Sequence, residues 1–296
     1  MGQRSAFVWR VFMYNQKLCL SLGGFGISDE EQIKLFKKTG FEAFTGCWHV
    51  GNENGILEAA KVGKLEGLDF EAVHAPWDFT DDMWNENEKE LAQKGVKNLI
   101  NYLELTAKAD VDLMVSHVYV GFDEVGEPTE FGLENYGKVI ERAKELGIRI
   151  AFENTEGEKC LDGLLTHFKN EKHIGFCWDS GHEMCYNFSK DLLALYGDRL
   201  FITHLNDNLG VKDYNGKIFW HDDLHLLPFD GIGDWENNAK RIAKTGFSGT
   251  LTFELNRQSK PNRYENDKYM KMSIEEYVAE CYVRACRFAK MVENYK

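Results

Sequence analysis

Six short apolar segments of the chain each reach a residue that can bind a metal ion. These segments and residues are EAVHAP with His74, DLMVSH with His117, IRIAFE with Glu153, IGFCWD with Asp179, LFITH with His204 and GTLTFE with Glu254. In a parallel β/α barrel the carboxyl ends of all strands surround one mouth, so residues far apart in sequence converge there. The pattern therefore predicts a barrel with a metal site at its mouth.

The alternation of apolar segments with helical ones predicts the fold. We expect an α/β protein, a single (β/α)8 TIM barrel of eight strands and eight helices. It would form one domain over residues 1–296, in which residues 1–16 are an N-terminal extension. Residues 17–22 and 41–45 are the first two predicted strands.

Helix boundaries can be read from capping signals. Ser28-Asp-Glu-Glu31 is a capping box that begins the first helix, which ends at Gly40. The same junction, in which a helix end with lysine is followed by a glycine and then by a β-rich segment, occurs after Gly40, Gly147 and Gly246. This repetition indicates a repeated βα unit. The other helices are predicted, to within about 2–4 residues, at 52–66, 86–108, 130–146, 159–170, 189–196, 235–245 and 273–293.

The composition excludes several classes of protein. With 35 basic and 48 acidic side chains the formal net charge is −13, which repels nucleic-acid phosphates and anionic membranes. No apolar run approaches the roughly 18 residues of a membrane-spanning helix, and the N-terminal segment lacks a signal-peptide cleavage site. The seven cysteines are scattered and predict neither disulfides nor a zinc ribbon. We therefore expect a cytoplasmic protein that binds neither nucleic acid nor membrane.

Four of the ligand-type residues have the side-chain types that bind one metal ion. Three carboxylates and one imidazole suit a divalent cation such as Mn²⁺, Mg²⁺, Co²⁺ or Zn²⁺. Without a cation the carboxylates would repel each other and lose hydration, so one divalent ion is the predicted cofactor. Each residue alone is more simply a polar group at a strand end, but the joint pattern favours the metal site. The four are Glu153, Asp179, His204 and Glu254.

Longer motifs surround these residues. They are Val73-His-Ala-Pro76, Phe152-Glu-Asn-Thr155, Cys177-Trp-Asp-Ser-Gly-His182, Thr203-His-Leu-Asn-Asp207, His225-Leu-Leu-Pro-Phe-Asp-Gly-Ile-Gly-Asp-Trp235 and Thr252-Phe-Glu254. With them the chain resembles, over about residues 17–290, the xylose isomerase-like TIM barrels. That superfamily includes sugar and sugar-phosphate isomerases and epimerases and, more distantly, endonuclease IV. The resemblance implies a metal-dependent isomerase or epimerase with a small-molecule sugar or sugar phosphate as its substrate.

The resemblance also implies roles for individual residues. In isomerase members the carboxylates that match Glu153 and Glu254 hold the metal and exchange a proton with the substrate from opposite faces. Removal of a proton next to a carbonyl gives an enediolate, whose charge a cation stabilises as a Lewis acid. One carboxylate then acts as base and the other as acid. His182 would contact a substrate hydroxyl or the metal's outer shell, or else it caps the following turn.

The more distant resemblance to endonuclease IV implies a second possible function for this chain, that of a multinuclear zinc phosphodiesterase. Such a centre needs further ligands, and candidates stand at His74, His117, His182, Asp223 and His225. They would bind additional metal, or they would line a pocket for a polyol substrate, which we favour. Segments 80–82 and 121–127 at the predicted mouth are acidic, whereas an enzyme that cleaves DNA needs basic loops there.

Three weaker predictions concern substrate binding. Trp48 and Trp77 follow strand ends, where an aromatic face could pack on a sugar ring, although a barrel tryptophan is more often in the core. Arg257 begins the basic segment 257–263, which would bind a phosphate or form a solvated charged loop. The sequence leaves open which sugar is bound, whether it is phosphorylated, which metal is used and in what number, and whether the chain forms a homo-oligomer.

Overall fold

The computed structural model describes residues 14–122, 126–211 and 219–296. Most of the predicted N-terminal extension, at residues 1–13, therefore lies outside the described residues. The same holds for residues 123–125 of the acidic segment 121–127 and for residues 212–218 of the connection after the seventh strand.

Eight parallel strands form the centre of the structure. They are β1 (Leu18–Ser21), β2 (Ala43–Cys47), β3 (Asp69–His74), β4 (Leu113–His117), β5 (Arg149–Glu153), β6 (Ile174–Asp179), β7 (Leu200–His204) and β8 (Leu251–Phe253). Consecutive strands pair from β1 to β7, and β8 pairs with β1. A bridge between Leu205 and Phe253 joins β7 to β8, and the Leu205 amide donates to the Thr252 carbonyl at 2.8 Å. The sheet thus closes, and the prediction of a single (β/α)8 TIM barrel is confirmed.

Nine α-helices surround the barrel within the described residues. They are α1 (Asp29–Thr39), α2 (Asn54–Glu66), α3 (Lys89–Lys108), α4 (Glu130–Leu146), α5 (Glu158–His167), α6 (Ser180–Cys185), α7 (Leu192–Tyr196), α8 (Trp235–Thr245) and α9 (Ile274–Glu293). The capping box at Ser28 begins α1 as predicted. Gly147 and Gly246 end α4 and α8 with φ angles of 71° and 75°, a conformation that favours glycine. Among the described residues, none of these helices combines the length and apolar character needed to cross a bilayer.

Helix α6 is a correction to the eight predicted helices. It follows β6 without a loop, and six residues are too few to show the periodic spacing of apolar side chains by which a helix is recognised in a sequence. It begins because the Asp179 carboxylate caps it and accepts a hydrogen bond from the His182 amide at 2.7 Å. The next helix begins at Leu192 rather than near residue 189. The cap holds His182 beside Asp179 at the barrel mouth.

The barrel interior explains why the ligand-type residues meet. Small and branched side chains form one buried cluster inside the barrel, which includes Ala72, Val115, Ala151, Cys177 and Ile202. Side chains of a strand alternate between two faces, so the residue two positions further on also points inward, one layer nearer the mouth. These next residues are His74, His117, Glu153, Asp179 and His204.

A buried ion pair fixes α6 to its neighbours. Both oxygens of Glu183 in α6 accept hydrogen bonds from the Arg241 guanidinium of α8, each at 2.8 Å. Glu183 also accepts from Trp178 Nε1 at 2.9 Å and from the Leu192 amide at 3.1 Å. The carboxylate therefore joins β6, α6, α7 and α8 next to the mouth.

We expect Glu183→Ala to lower the free energy of unfolding by about 2–3 kcal/mol, because the buried Arg241 guanidinium loses two charge-assisted hydrogen bonds and keeps the more exposed Asp191 as its remaining ionic partner. Urea denaturation monitored by circular dichroism would measure the change. As a matched control, Glu236→Ala removes one partner of the exposed pair with Lys240 and should cost less than about 1 kcal/mol. Equal losses in the two variants would contradict the structural role of Glu183.

Candidate metal centre

Glu153 is the centre of the site. Its buried carboxylate is surrounded by four imidazoles: Oε2 lies 3.2 Å from His74 Nε2, 3.4 Å from His117 Nε2 and 3.2 Å from His204 Nδ1, and Oε1 lies 3.2 Å from His182 Nδ1. Burial alone would raise the pKa of Glu153, but the charge of His204 and the close ring nitrogens of His117, His182 and His204 bring it well below its ordinary value. Glu153 is therefore an ionised carboxylate at the barrel axis.

The four residues predicted to bind one metal ion lie together. One ligand atom from each of Glu153, Asp179, His204 and Glu254 lies within 4.8 Å of the others. His204 Nδ1 stands between two carboxylates, 3.2 Å from Glu153 Oε2 and 3.1 Å from Glu254 Oε2. His204 Nδ1 and Glu153 Oε1 are buried and have no hydrogen-bond partner among the described residues. A cation at this position would satisfy both atoms.

Besides a group in which Cys177 joins Glu153 and His204, two further groups of ligand-type residues flank the first. His74 and His117 form one with Glu153, and His182, Asp223 and His225 form the other; within each, the ligand atoms lie within 4.8 Å of one another. Asp223 Oδ2 lies 2.8 Å from His225 Nε2 and 3.5 Å from His182 Nε2. The structure therefore brings together all nine residues that sequence analysis named as metal ligands or as additional ligands.

The imidazole tautomers show that these groups suit metal binding. The backbone carbonyls of Ala75, Asn154 and Glu254 accept hydrogen bonds from the Nδ1 atoms of His74, His182 and His225, at 2.8, 3.0 and 3.1 Å respectively. A carbonyl can only accept, so Nδ1 carries a proton, and Nε2 is the nitrogen that could bind a metal ion once it has lost its own proton. Each Nε2 faces a carboxylate oxygen, and two acceptors in contact require a proton or a metal ion between them. Backbone support of the distal nitrogen is the usual arrangement of metal-binding histidines.

A cavity of about 470 Å³ opens above the ligand groups. Glu153 and Glu254 both reach it, but the Glu153 side chain is fully buried whereas that of Glu254 is 29% exposed. Trp77, one of the two tryptophans predicted to contact substrate, lines the wall, and its ring stacks on that of His117 with centroids 5.4 Å apart. The cavity is therefore a candidate binding site, with carboxylates at its floor and an aromatic wall.

Two of the weaker predictions are not supported by the structure. Trp48 is 4% exposed and lies outside the residues that line the cavity; its ring packs on Phe70, and its Nε1 donates to Asp29 at 3.2 Å. The Arg257 guanidinium donates to the carbonyls of Tyr269 and Met272 and also lies outside the cavity lining. Both side chains have structural partners instead of facing a substrate.

Several residues that line the cavity were missed by sequence analysis. Cys47 is the last residue of β2, so the rule that selected the other strand ends would also have found it. Glu156 stands three residues after Glu153, and burial raises the pKa of its carboxyl group to about 7. The others carried no recognisable signal; they are Val120, Phe122, Thr155 and Tyr186.

Comparison with known proteins identifies relatives of the chain. It is 31% identical over 209 residues to the uncharacterized protein y4fM of Sinorhizobium fredii (strain NBRC 101917 / NGR234). That match covers 65% of this chain and 64% of the relative, so it spans less than two thirds of the relative's length.

Solved structures share the fold at low sequence identity. An L-ribulose 3-epimerase superposes with a TM-score of 0.69 at 14% identity, over 95% of both chains. An IOLI protein with a bound zinc atom gives 0.67 at 15% identity, over 95% of this chain and 99% of that one. A xylose isomerase-like TIM barrel/4-hydroxyphenylpyruvate dioxygenase fusion protein gives 0.68 at 16% identity, over 91% of this chain and 42% of that one.

The family model named xylose isomerase-like TIM barrel matches residues 33–277, which include every strand from β2 to β8. All nine ligand-type residues lie within this range. On this match, and on the closed barrel, the chain belongs to the xylose isomerase-like TIM barrel family.

Proposed function

We propose that the protein is a divalent-metal-dependent isomerase or epimerase that acts on a sugar or a sugar phosphate. The observation that carries this proposal is the group of Glu153, Asp179, His204 and Glu254 beneath a cavity that two of these carboxylates reach. A further support is the fold, which the chain shares with an L-ribulose 3-epimerase. Isomerisation and epimerisation both need groups that remove and return a proton at a carbon next to a carbonyl.

The two glutamates differ in how they meet the cavity. Glu254 is partly exposed and is the group we assign to removing the substrate proton, since its carboxylate can reach a bound molecule without rearrangement. Glu153 reaches the cavity from its buried floor and is assigned to the return of a proton to the substrate, a proton that this ionised carboxylate first takes up from one of the imidazoles around it. His204 Nδ1 lies between the two carboxylates and holds their relative position. A divalent ion held by the four residues would supply Lewis acidity toward the substrate oxygens.

The proposal is tested by elemental analysis of protein purified without added metal, followed by a solvent-deuterium exchange screen. We expect one divalent ion per chain and incorporation of deuterium next to the carbonyl of at least one common ketose or ketose phosphate. Mass spectrometry or proton NMR of the recovered sugar would measure the exchange. Metal-containing protein that exchanges no proton in any member of the screen would refute the proposal.

A second function is favoured by one specific observation. The groups around His74 and Asp223 place further Nε2 atoms beside carboxylates, which supports a multinuclear zinc phosphodiesterase that resembles endonuclease IV. The net charge of −13 opposes DNA as its substrate, so a small phosphodiester would be expected. Three zinc ions per chain, together with hydrolysis of bis(p-nitrophenyl) phosphate, would support this function; one ion per chain would exclude it.

A further inference from the structure

Lys260 places a positive charge in the wall of the cavity. Apart from the histidines, it is the one basic side chain among the described residues that line the cavity. Its Nζ lies 3.7 Å from Asp223 Oδ2 and 5.3 Å from the centroid of the Trp220 ring, and the side chain is 20% exposed. The ammonium group is thus held over an aromatic face at the mouth.

The other cations of the same segment have fixed partners. Arg263 forms ion pairs with Asp222 at 3.2 Å and with Glu265 at 2.8 Å, and its side chain is 8% exposed. Arg257 donates to two backbone carbonyls, as described above. Lys260 differs from both because its separation from Asp223 exceeds hydrogen-bond distance, and its ammonium group donates no hydrogen bond within the described part of the chain. Its three N–H donors are available to a ligand.

Binding of a neutral sugar would not explain an ammonium group at the position of Lys260. Hydroxyl groups can be bound by the carboxylates and imidazoles already present, whereas a partly buried ammonium group loses hydration that only an anionic partner recovers fully. Asp223 does not supply that partner alone, since it also faces His182 and His225. A negatively charged ligand atom beside Lys260 would make a charge-assisted hydrogen bond that is worth more than one to a neutral hydroxyl.

We propose that Lys260 binds an anionic substituent of the substrate, a phosphate monoester or a carboxylate, and so selects acidic sugars over neutral ones. This inference rests on the proposed function, because it names the substrate class of the same cavity. Phosphate and carboxylate share the required chemistry, and the two arms of the experiment separate them. Lys260 is a specificity-determining residue in this scheme and takes no part in proton transfer.

The experiment measures binding to the metal-containing protein by isothermal titration calorimetry. The probes are ketohexoses, their 6-phosphates and hexuronates, so that each neutral sugar has a phosphorylated and a carboxylated counterpart. We expect one acidic class to bind at least about tenfold more tightly than the neutral sugar. Lys260→Met should remove that preference and change neutral-sugar binding less than about twofold, and Lys260→Arg should retain the preference.

Lys268 provides the matched control. It lies in the same connection after β8, pairs with Asp230 at 2.8 Å and lies outside the cavity lining. Lys268→Met removes the same charge and should leave the preference unchanged. The inference is overturned if no acidic sugar binds in preference to its neutral counterpart, or if both methionine variants behave alike. Lys260-dependent binding of acidic sugars without deuterium exchange would refute the proposed function alone. Deuterium exchange by a protein whose preference for acidic sugars is absent, or is left intact by Lys260→Met, would refute this inference alone.

Discussion

Glu254→Gln is expected to reduce exchange of the substrate α-proton with solvent by about 10³-fold, the typical contribution of a positioned general base. The amide keeps the size of the side chain but cannot accept a proton at neutral pH. Glu254 is the ligand-group carboxylate that is partly exposed to the cavity, so no other member of its group can replace it without rearrangement. Deuterium incorporation into the sugar found in the exchange screen, followed by NMR at saturating metal, would measure the loss.

Two controls separate proton transfer from other effects of this substitution. Glu236→Gln makes the same chemical change at an exposed position of α8 and should leave exchange within about twofold of wild type. Metal content is measured for both variants, because Glu254 also belongs to the four-residue ligand group. Exchange at the wild-type rate in Glu254→Gln would show that another group removes the proton.

The convergence of the ligand residues was predictable because it depends on strand periodicity. Of the six ligand-type residues at the strand ends, the first five along the chain each stand two positions after a side chain that points into the barrel, as His117 stands after Val115. A parallel barrel brings all such positions to one mouth. Glu254 comes one residue after β8, and its amide donates to the Leu205 carbonyl at 3.3 Å. The position of each residue within its strand therefore determines both its layer along the barrel axis and whether its side chain points inward.

The direction of residues beyond the strands was not predictable in this way. Trp48 follows the last residue of β2, but its ring occupies space that Gly46 of β2 and Gly55 of α2 leave open. A Cβ atom on Gly46 or on Gly55 would lie 2.6 Å from the indole ring. The packing of α2 against β2 therefore decides that Trp48 belongs to the core, and a pattern confined to one segment carries no information about such a contact.

The shared use of Glu153 also depends on three-dimensional packing. Residue types could suggest one ligand group or several, but not that a single carboxylate belongs to three groups at once. In the structure Glu153 is common to the group with His74 and His117 and to the two groups with His204. This arrangement makes Glu153 the residue whose loss should affect metal binding most.

Glu153→Gln is expected to weaken binding of the divalent ion by at least about 100-fold, more than the 10- to 100-fold typical of residues that only support a ligand. The substitution removes the negative charge that four imidazoles surround, and an amide nitrogen would be turned toward at least one of them. Metal content after equilibrium dialysis against a competing chelator would measure the change in affinity.

Glu156→Gln is the matched control, because Glu156 is a carboxylate of the same cavity that belongs to none of the ligand groups. It should retain metal with wild-type affinity. Circular dichroism and the urea midpoint must show that Glu153→Gln is folded, since an unfolded variant would lose the ion for a different reason. A folded Glu153→Gln protein that keeps its metal as tightly as wild type would remove Glu153 from the centre of the site. Metal loss in both variants would instead indicate that the summed negative charge of the cavity, rather than a defined set of ligands, attracts the ion.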